Sequence, residues 1–236
     1  MANLDPDSVP AVPLGVGYYT APEVGRLLRM SARNINRWLG GYEFTKRGRT
    51  VGMPPLWTPQ LPRSEKHLEL GFRDLIELRF VKAFLDAGVG LLTIRRCIEF
   101  ARECVHDDRP FSTRQFRTDG RTIFLDSMSA SDTGELLDLR KRQYVIKQVI
   151  ERTFRDLDIE DDAVARWRPL NGKASIVIDP TRSFGQPVAA RYGVPTIVLA
   201  DAVGAEGTVE RAARLYDVPV GVVRDAVAFE QTLHAA

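Results

Sequence analysis

Arg33, Asn34, Asn36 and Arg37 crowd into one short stretch, and their side chains are those that read base edges. An arginine fork matches guanine O6 and N7 or a phosphate, while an asparagine amide matches adenine N6 and N7. Lys46, Arg47 and Arg49 follow in a second basic cluster, of the kind that neutralises a phosphate backbone. A solvated surface would show the same residue types, so their placement on elements matters. Residues for catalysis are lacking: the three histidines, His67, His106 and His234, belong to no HExxH, and there is no glycine-rich phosphate loop or nucleophile elbow. No enzyme activity and no cofactor are expected.

The elements that must position these side chains are legible nearby. Thr20 and Glu23 form a capping box with Pro22 in the first turn, which starts a helix carrying Val24, Leu27 and Leu28 on one face. Ser31 is placed to cap a second helix. Its inward stripe is Ile35, Trp38 and Leu39, leaving Arg33, Asn36 and Arg37 outward. Gly40 and Gly41 end it, and residues 43–57 could pair as a hairpin with Lys46, Arg47 and Arg49 at the tip. Prolines at 54, 55, 59 and 62 then exclude a helix or a central strand. Two further helices are expected, one from Phe72 to near Gly88 and one carrying Ile94, Cys97, Ile98, Ala101, Cys104 and Val105.

The order of the helix pair, the basic hairpin and the run GFRDLIELRFVKAFLDAGVGLLTIRRCIEF resembles the MerR-type winged-helix domain, over roughly residues 18–105. That resemblance implies one DNA-binding unit, set at residues 18–126, reading double-stranded operator DNA. Residues 1–17 are rich in Pro and Gly and are expected to be a mobile arm. Gln115 to Leu125 reads as a hairpin around Asp119-Gly120, and Ser127 to Gly134 as a polar linker. Leu136, Leu139, Tyr144, Ile146, Val149, Ile150, Phe154 and Leu157 then stripe a long helix within a connecting segment, 135–168. The MerR resemblance implies a homodimer formed through it; a helix folded back on the same chain would show the same stripe. Glu160-Asp161-Asp162 is read as a solvated helix start.

The formal net charge of +2 conceals an asymmetry. Residues 1–125 hold 19 Lys and Arg against 14 Asp and Glu, whereas residues 126–236 hold 14 against 17. The positive excess therefore lies with the proposed reader. Cys97 and Cys104 share a helical face near His106, which raises a metal site; but seven residues separate them, too far for one tetrahedral ion, and burial in the apolar stripe suits free thiols. No metal is expected. The two cysteines fit a reducing compartment, and the apolar runs are too short to span a bilayer, so a cytoplasmic location without membrane contact is expected.

After Ala174 strands are expected at Ile176–Ile178, Val188–Ala190 and Thr196–Leu199, followed by helices from about Thr208 and from Pro219. The segment GQPVAARYGVPTIVLADAVGAEGTVERAARLYDVPVGVVRDAVAFE is similar to a small domain, once of unknown function, found in antitoxins of VapBC-type toxin–antitoxin operons. It departs from that pattern at Ala205-Glu206-Gly207-Thr208. The whole chain thus reads as mainly α with small β-hairpins: a MerR-like winged helix, a long connecting helix, and a small C-terminal β-ribbon plus helix-turn-helix-like domain at 172–236. What the combined resemblance implies is a type II antitoxin that inhibits a PIN-domain ribonuclease toxin and represses their shared promoter, as a homodimer or a higher toxin–antitoxin assembly. PIN sites cluster carboxylates around a divalent ion, which an inserted Arg could displace. Arg182, Arg191 and Tyr192 are the candidates for that contact. The alternative is a free-standing MerR-type transcription regulator whose C-terminal domain binds a small ligand or dimerises.

Overall fold

The structure is a computed structural model that describes residues 14–46, 48–62, 67–129 and 139–234. After strand β1 (Tyr19–Thr20), Thr20 caps helix α1 (Ala21–Leu28) as its spacing predicts. Its hydroxyl accepts from the Glu23 amide at 3.4 Å, and the Glu23 carboxylate accepts from the Thr20 amide at 2.7 Å. Helix α2 (Ala32–Gly40) follows across a turn in which Met30 N–H donates to Gly25 O at 2.8 Å. A Cβ on Gly25 would sit 2.7 Å from the Met30 carbonyl, so only glycine permits so close a return. Ser31 stands at the N-cap of α2 without making a side-chain cap hydrogen bond.

Strands β2 (Tyr42–Lys46) and β3 (Arg49–Met53) pair antiparallel as the expected hairpin, with Lys46 opposite Arg49. The proline-rich connection is held through its carbonyls. Arg95 donates to Pro54 O and Pro55 O at 2.8 and 2.9 Å. Buried Asp74 accepts from Trp57 Nε1, from the amides of Gln60 and Gly71, and from Arg109 Nε, all within 3.0 Å. Four donors satisfy one carboxylate, which makes its burial affordable.

Strand β4 (Glu69–Leu70) pairs with β1 and leads into α3 (Phe72–Asp86), the central helix. The Phe80 ring lies within 6.5 Å, centroid to centroid, of Phe84, Phe111, Phe116 and Phe154. These rings gather α4 (Leu91–Val105), a 3-10 turn (Pro110–Ser112), α5 (Arg114–Ser129) and α6 (Leu139–Phe154) around α3. The expected hairpin at 115–125 is therefore wrong: α5 runs unbroken through Asp119-Gly120. Thr113 accepts from the Phe116 amide to start it, and Phe116, Ile123 and Phe124 are buried on one side. Gly120 serves close packing instead of a turn, because a Cβ there would lie 3.1 Å from atoms of the Phe116 ring. Ser127 to Ser129 belong to α5, not to a linker, and 130–134 lie outside the described residues.

The long helix is also reassigned. Ile146, Ile150 and Phe154 of α6 are buried in the same core as α3 and α5, so this part of the stripe folds back on its own chain, while Tyr144 of the same stripe is 65% exposed. Residues 135–138 lie outside the described residues. Beyond α6, β5 (Leu157–Glu160) and β6 (Ala163–Trp167) form a hairpin whose turn places Asp161 and Asp162 at φ 43° and 67°. The acidic run is a tight turn and not a helix start, since aspartate tolerates the left-handed region.

Strands β7 (Ile176–Ile178) and β8 (Pro187–Ala189) complete a four-stranded antiparallel sheet in the order β5-β6-β7-β8, with Trp167 opposite Ile178. The expected division between 168 and 172 thus falls between neighbouring strands of one sheet. Thr196 to Leu199 is not a strand: it opens α7 (Thr196–Glu206), which packs with α8 (Val209–Leu215) and α9 (Val220–His234). Pro195 supplies the entry to α7, and Leu199 and Ala202 turn into a core with Ala212, Ala213, Val223 and Ala226. Small side chains let the three helices approach closely. Residues 14–17 of the expected arm are part of the fold, for Val16 O accepts from the Phe72 amide at 2.8 Å; residues 1–13 lie outside the described residues.

Candidate nucleic-acid interface and partner surface

Ile35, Trp38 and Leu39 anchor α2 against α1 and in the core that α3 shares, and this burial turns Arg33, Asn34, Asn36 and Arg37 to the surface together. The side chains of Arg33, Asn34 and Asn36 have no hydrogen-bond or ion-pair partner among the described residues. Arg37 is placed by its neighbour: its guanidinium carbon lies 3.8 Å from the centroid of the Tyr42 ring, at the start of β2. The hairpin beyond projects away from the core, with Arg49, Thr50, Val51 and Gly52 all exposed. Its turn passes Gly48 at φ 74°. Arg47 lies outside the described residues, and of Lys46 the backbone alone is described.

The charge on this face is uncompensated. Among the described residues Arg33, Arg37 and Arg49 form no ion pair, whereas several arginines that brace the fold do. Arg79 pairs with Asp156 at 2.7 Å, Arg109 with Asp74 at 2.9 Å and Arg168 with Asp158 at 2.7 Å. The α2 and hairpin cations remain available to an anion.

The C-terminal candidates separate. Arg182 is half-buried and its Nη1 donates to Ala190 O at 2.7 Å, bracing the turn after β8. Arg191 and Tyr192 lie exposed on that turn, where Gly193 N–H donates to Ala189 O at 2.8 Å. Arg191 is free to meet a partner; Arg182 already has one. Cys97 is buried in α4, where burial pushes its thiol well above the ordinary range, and among the described residues no three His, Cys, Asp or Glu side chains are grouped to hold a metal. No helix among them is long and apolar enough to cross a membrane.

A cavity was not anticipated from the sequence. It lies between α1 and the C-terminal segment, lined by residues as distant in the chain as Leu27 and Glu230. The one local signal was Phe184 within Ser-Phe-Gly, an aromatic residue in a turn.

No family model matches the chain. Among curated proteins it is similar to one named "Putative antitoxin VapB45" from Mycobacterium tuberculosis (strain ATCC 25618 / H37Rv), 28% identical over an alignment of 212 residues that covers 85% of this chain and 88% of that protein. Its fold matches the X-ray crystal structure of Rv2018 from Mycobacterium tuberculosis with a TM-score of 0.71 and 22% identity, over 92% of this chain and all of the other.

Proposed function

We propose that the protein is a VapB-type antitoxin: it binds and inhibits a PIN-domain ribonuclease toxin and represses their shared promoter through α1, α2 and the β2–β3 hairpin, acting as a MerR-like winged helix. The similarity to the VapB45 protein over most of both chains supports the class. The observation that carries the DNA half is the unpaired basic face, in which α2 presents Arg33, Asn34, Asn36 and Arg37 beside a projecting hairpin with Arg49. Counterion release from phosphates would supply most of the affinity, and the α2 side chains the base reading.

In this reading the protein has no catalytic role, needs no cofactor and works in the cytoplasm. Arg191 and Tyr192 reach the toxin, and Arg182 holds their turn. The assembly is a homodimer or a larger toxin–antitoxin complex. Because Ile146, Ile150 and Phe154 of α6 are buried within the chain, a dimer would use other surfaces, the exposed Tyr144 among them. Coexpression with the product of the adjacent gene tests both halves. Copurification, loss of its ribonuclease activity, and retardation of the upstream promoter fragment are expected. Failure of the neighbour to bind would refute the antitoxin reading.

A second reading, a free-standing regulator responding to a small ligand, is favoured by the cavity between α1 and α9. It predicts promoter binding that changes with a metabolite and needs no protein partner.

A further inference from the structure

The cavity has a volume of about 510 Å³ and is lined on one side by Tyr18, Arg26 and Leu27 and on the other by Phe184, Ile197 and Glu230. Two independent features mark it as a recognition surface. The first is Glu230, which is 8% exposed, accepts a hydrogen bond from Thr196 Oγ1 and forms no ion pair among the described residues. Arg26 and His234 line the same cavity but neither pairs with Glu230, and a buried carboxylate without an ion pair is costly, a cost that a cation entering the cavity would relieve. Glu23 also lines the cavity, but its carboxylate is committed to the α1 cap.

The second feature is an apolar rim. Phe184 is 68% exposed and Ile197 40% exposed, although neither is needed there by the core. Phe184 is held outward by left-handed backbone, with φ 46° at Ser183 and 54° at Phe184. That conformation is fixed by hydrogen bonds from the Tyr18 amide to Phe184 O at 2.9 Å and from the Tyr19 hydroxyl to Gly185 O at 2.7 Å. Strain that persists in order to expose an aromatic ring points to a contact made by that ring.

We propose that this groove is a docking site for an apolar segment of the toxin that carries one lysine or arginine, the cation reaching Glu230 and the apolar neighbours covering Phe184 and Ile197. The inference rests on the antitoxin reading. The charge chooses the occupant: a carboxylate at depth with aromatic side chains at Tyr18 and Phe184 suits a single cation on an apolar stem, and Arg26 on the facing side disfavours a second one. A rim of apolar side chains around the cavity calls for an occupant that extends past its mouth, as a protein segment does.

The test uses the full chain and the purified product of the neighbouring gene, titrated calorimetrically with wild type, Glu230→Gln and Ile197→Asp. The wild type binds; Glu230→Gln weakens binding at least tenfold and Ile197→Asp at least a hundredfold, while operator affinity and the far-ultraviolet spectrum of each variant are unchanged. Wild-type binding with both variants within twofold of it would overturn the docking site and leave the antitoxin reading standing. No binding by wild type would remove both. Should phenethylammonium raise the melting temperature of the lone wild type, with toxin affinity untouched by Glu230→Gln, the groove is a small-cation site and the docking inference is wrong. Glu230→Gln is nearly isosteric, so it remains informative if Ile197→Asp fails to fold.

Discussion

The guanidinium carbon of Arg37 lies over Tyr42, 3.8 Å from the ring centroid, and this contact ties the exposed face of α2 to the first strand of the hairpin. One side chain thereby bridges the two parts of the proposed DNA surface. Tyr42→Ala should loosen Arg37 and weaken operator binding by about 0.5–1 kcal/mol, the worth of an exposed cation–π contact. Tyr42→Phe should bind like wild type, which gel retardation of the promoter fragment can decide.

Arg33 and Arg49 should fail in different ways. Arg33→Ala is expected to cost about 1–3 kcal/mol and to relax preference at one base pair, whereas Arg49→Ala should weaken all sequences alike and lower the salt slope by about one. Anisotropy titrations over a range of salt concentrations separate the two. Equal, sequence-independent losses would remove Arg33 from base reading.

Arg182 and Arg191 should likewise divide. Removing Arg182 breaks its bond to the Ala190 carbonyl, so Arg182→Ala should lose about 1–3 kcal/mol of stability by chemical denaturation. Arg191→Ala removes an exposed side chain and should change stability by no more than about 0.5 kcal/mol. Its loss should appear only in toxin inhibition.

Glu77 makes stability depend on pH. Burial pushes its carboxyl up to about 7 from the ordinary 4.5, and the nearby Arg73 and the amides of Ser112 and Phe111 only partly oppose this. The folded state thus holds a proton that the unfolded chain releases. Its contribution is fully present below about pH 4.5 and is lost as pH rises through 7, a change on the order of 3 kcal/mol. Urea midpoints measured from pH 5 to 8 should fall with pH for this group, and Glu77→Gln should flatten the slope. An unaltered slope in that variant would assign the effect elsewhere.

What the sequence made legible was local. The Thr20–Glu23 box, the inward Ile35, Trp38 and Leu39, and the hairpin up to Met53 each depend on residues a few positions apart, and the structure places them accordingly. Asp119-Gly120 and the β-branched start of Thr196–Leu199 misled for one shared reason. Both favour turn or strand in isolation, yet in the fold Phe116, Leu199 and their neighbours bury more surface along a helix, and packing overrides propensity. The division at 168–172 looked like a linker because Arg168-Pro169 and Asn171-Gly172 break helical periodicity; pairing of Trp167 with Ile178 crosses it. The α2 and hairpin cations were named from sequence, but the cavity was not, since Leu27 and Glu230 meet only through tertiary structure.

The bonds from Tyr18 and Tyr19 to Phe184 and Gly185 impose a delay on biosynthesis. Residues 18 and 19 leave the ribosome long before 184 and 185 exist; at about 5–20 residues per second the wait is roughly 10–30 seconds. Throughout that interval the Tyr19 phenol and the outer side of α1 lack the cover they have in the finished chain. Helix α1, made early, is therefore among the last of the described helices to be sealed. A nascent chain stalled before residue 184 should be a ready substrate for cellular proteases at the α1 end, even with its central phenylalanine cluster already formed.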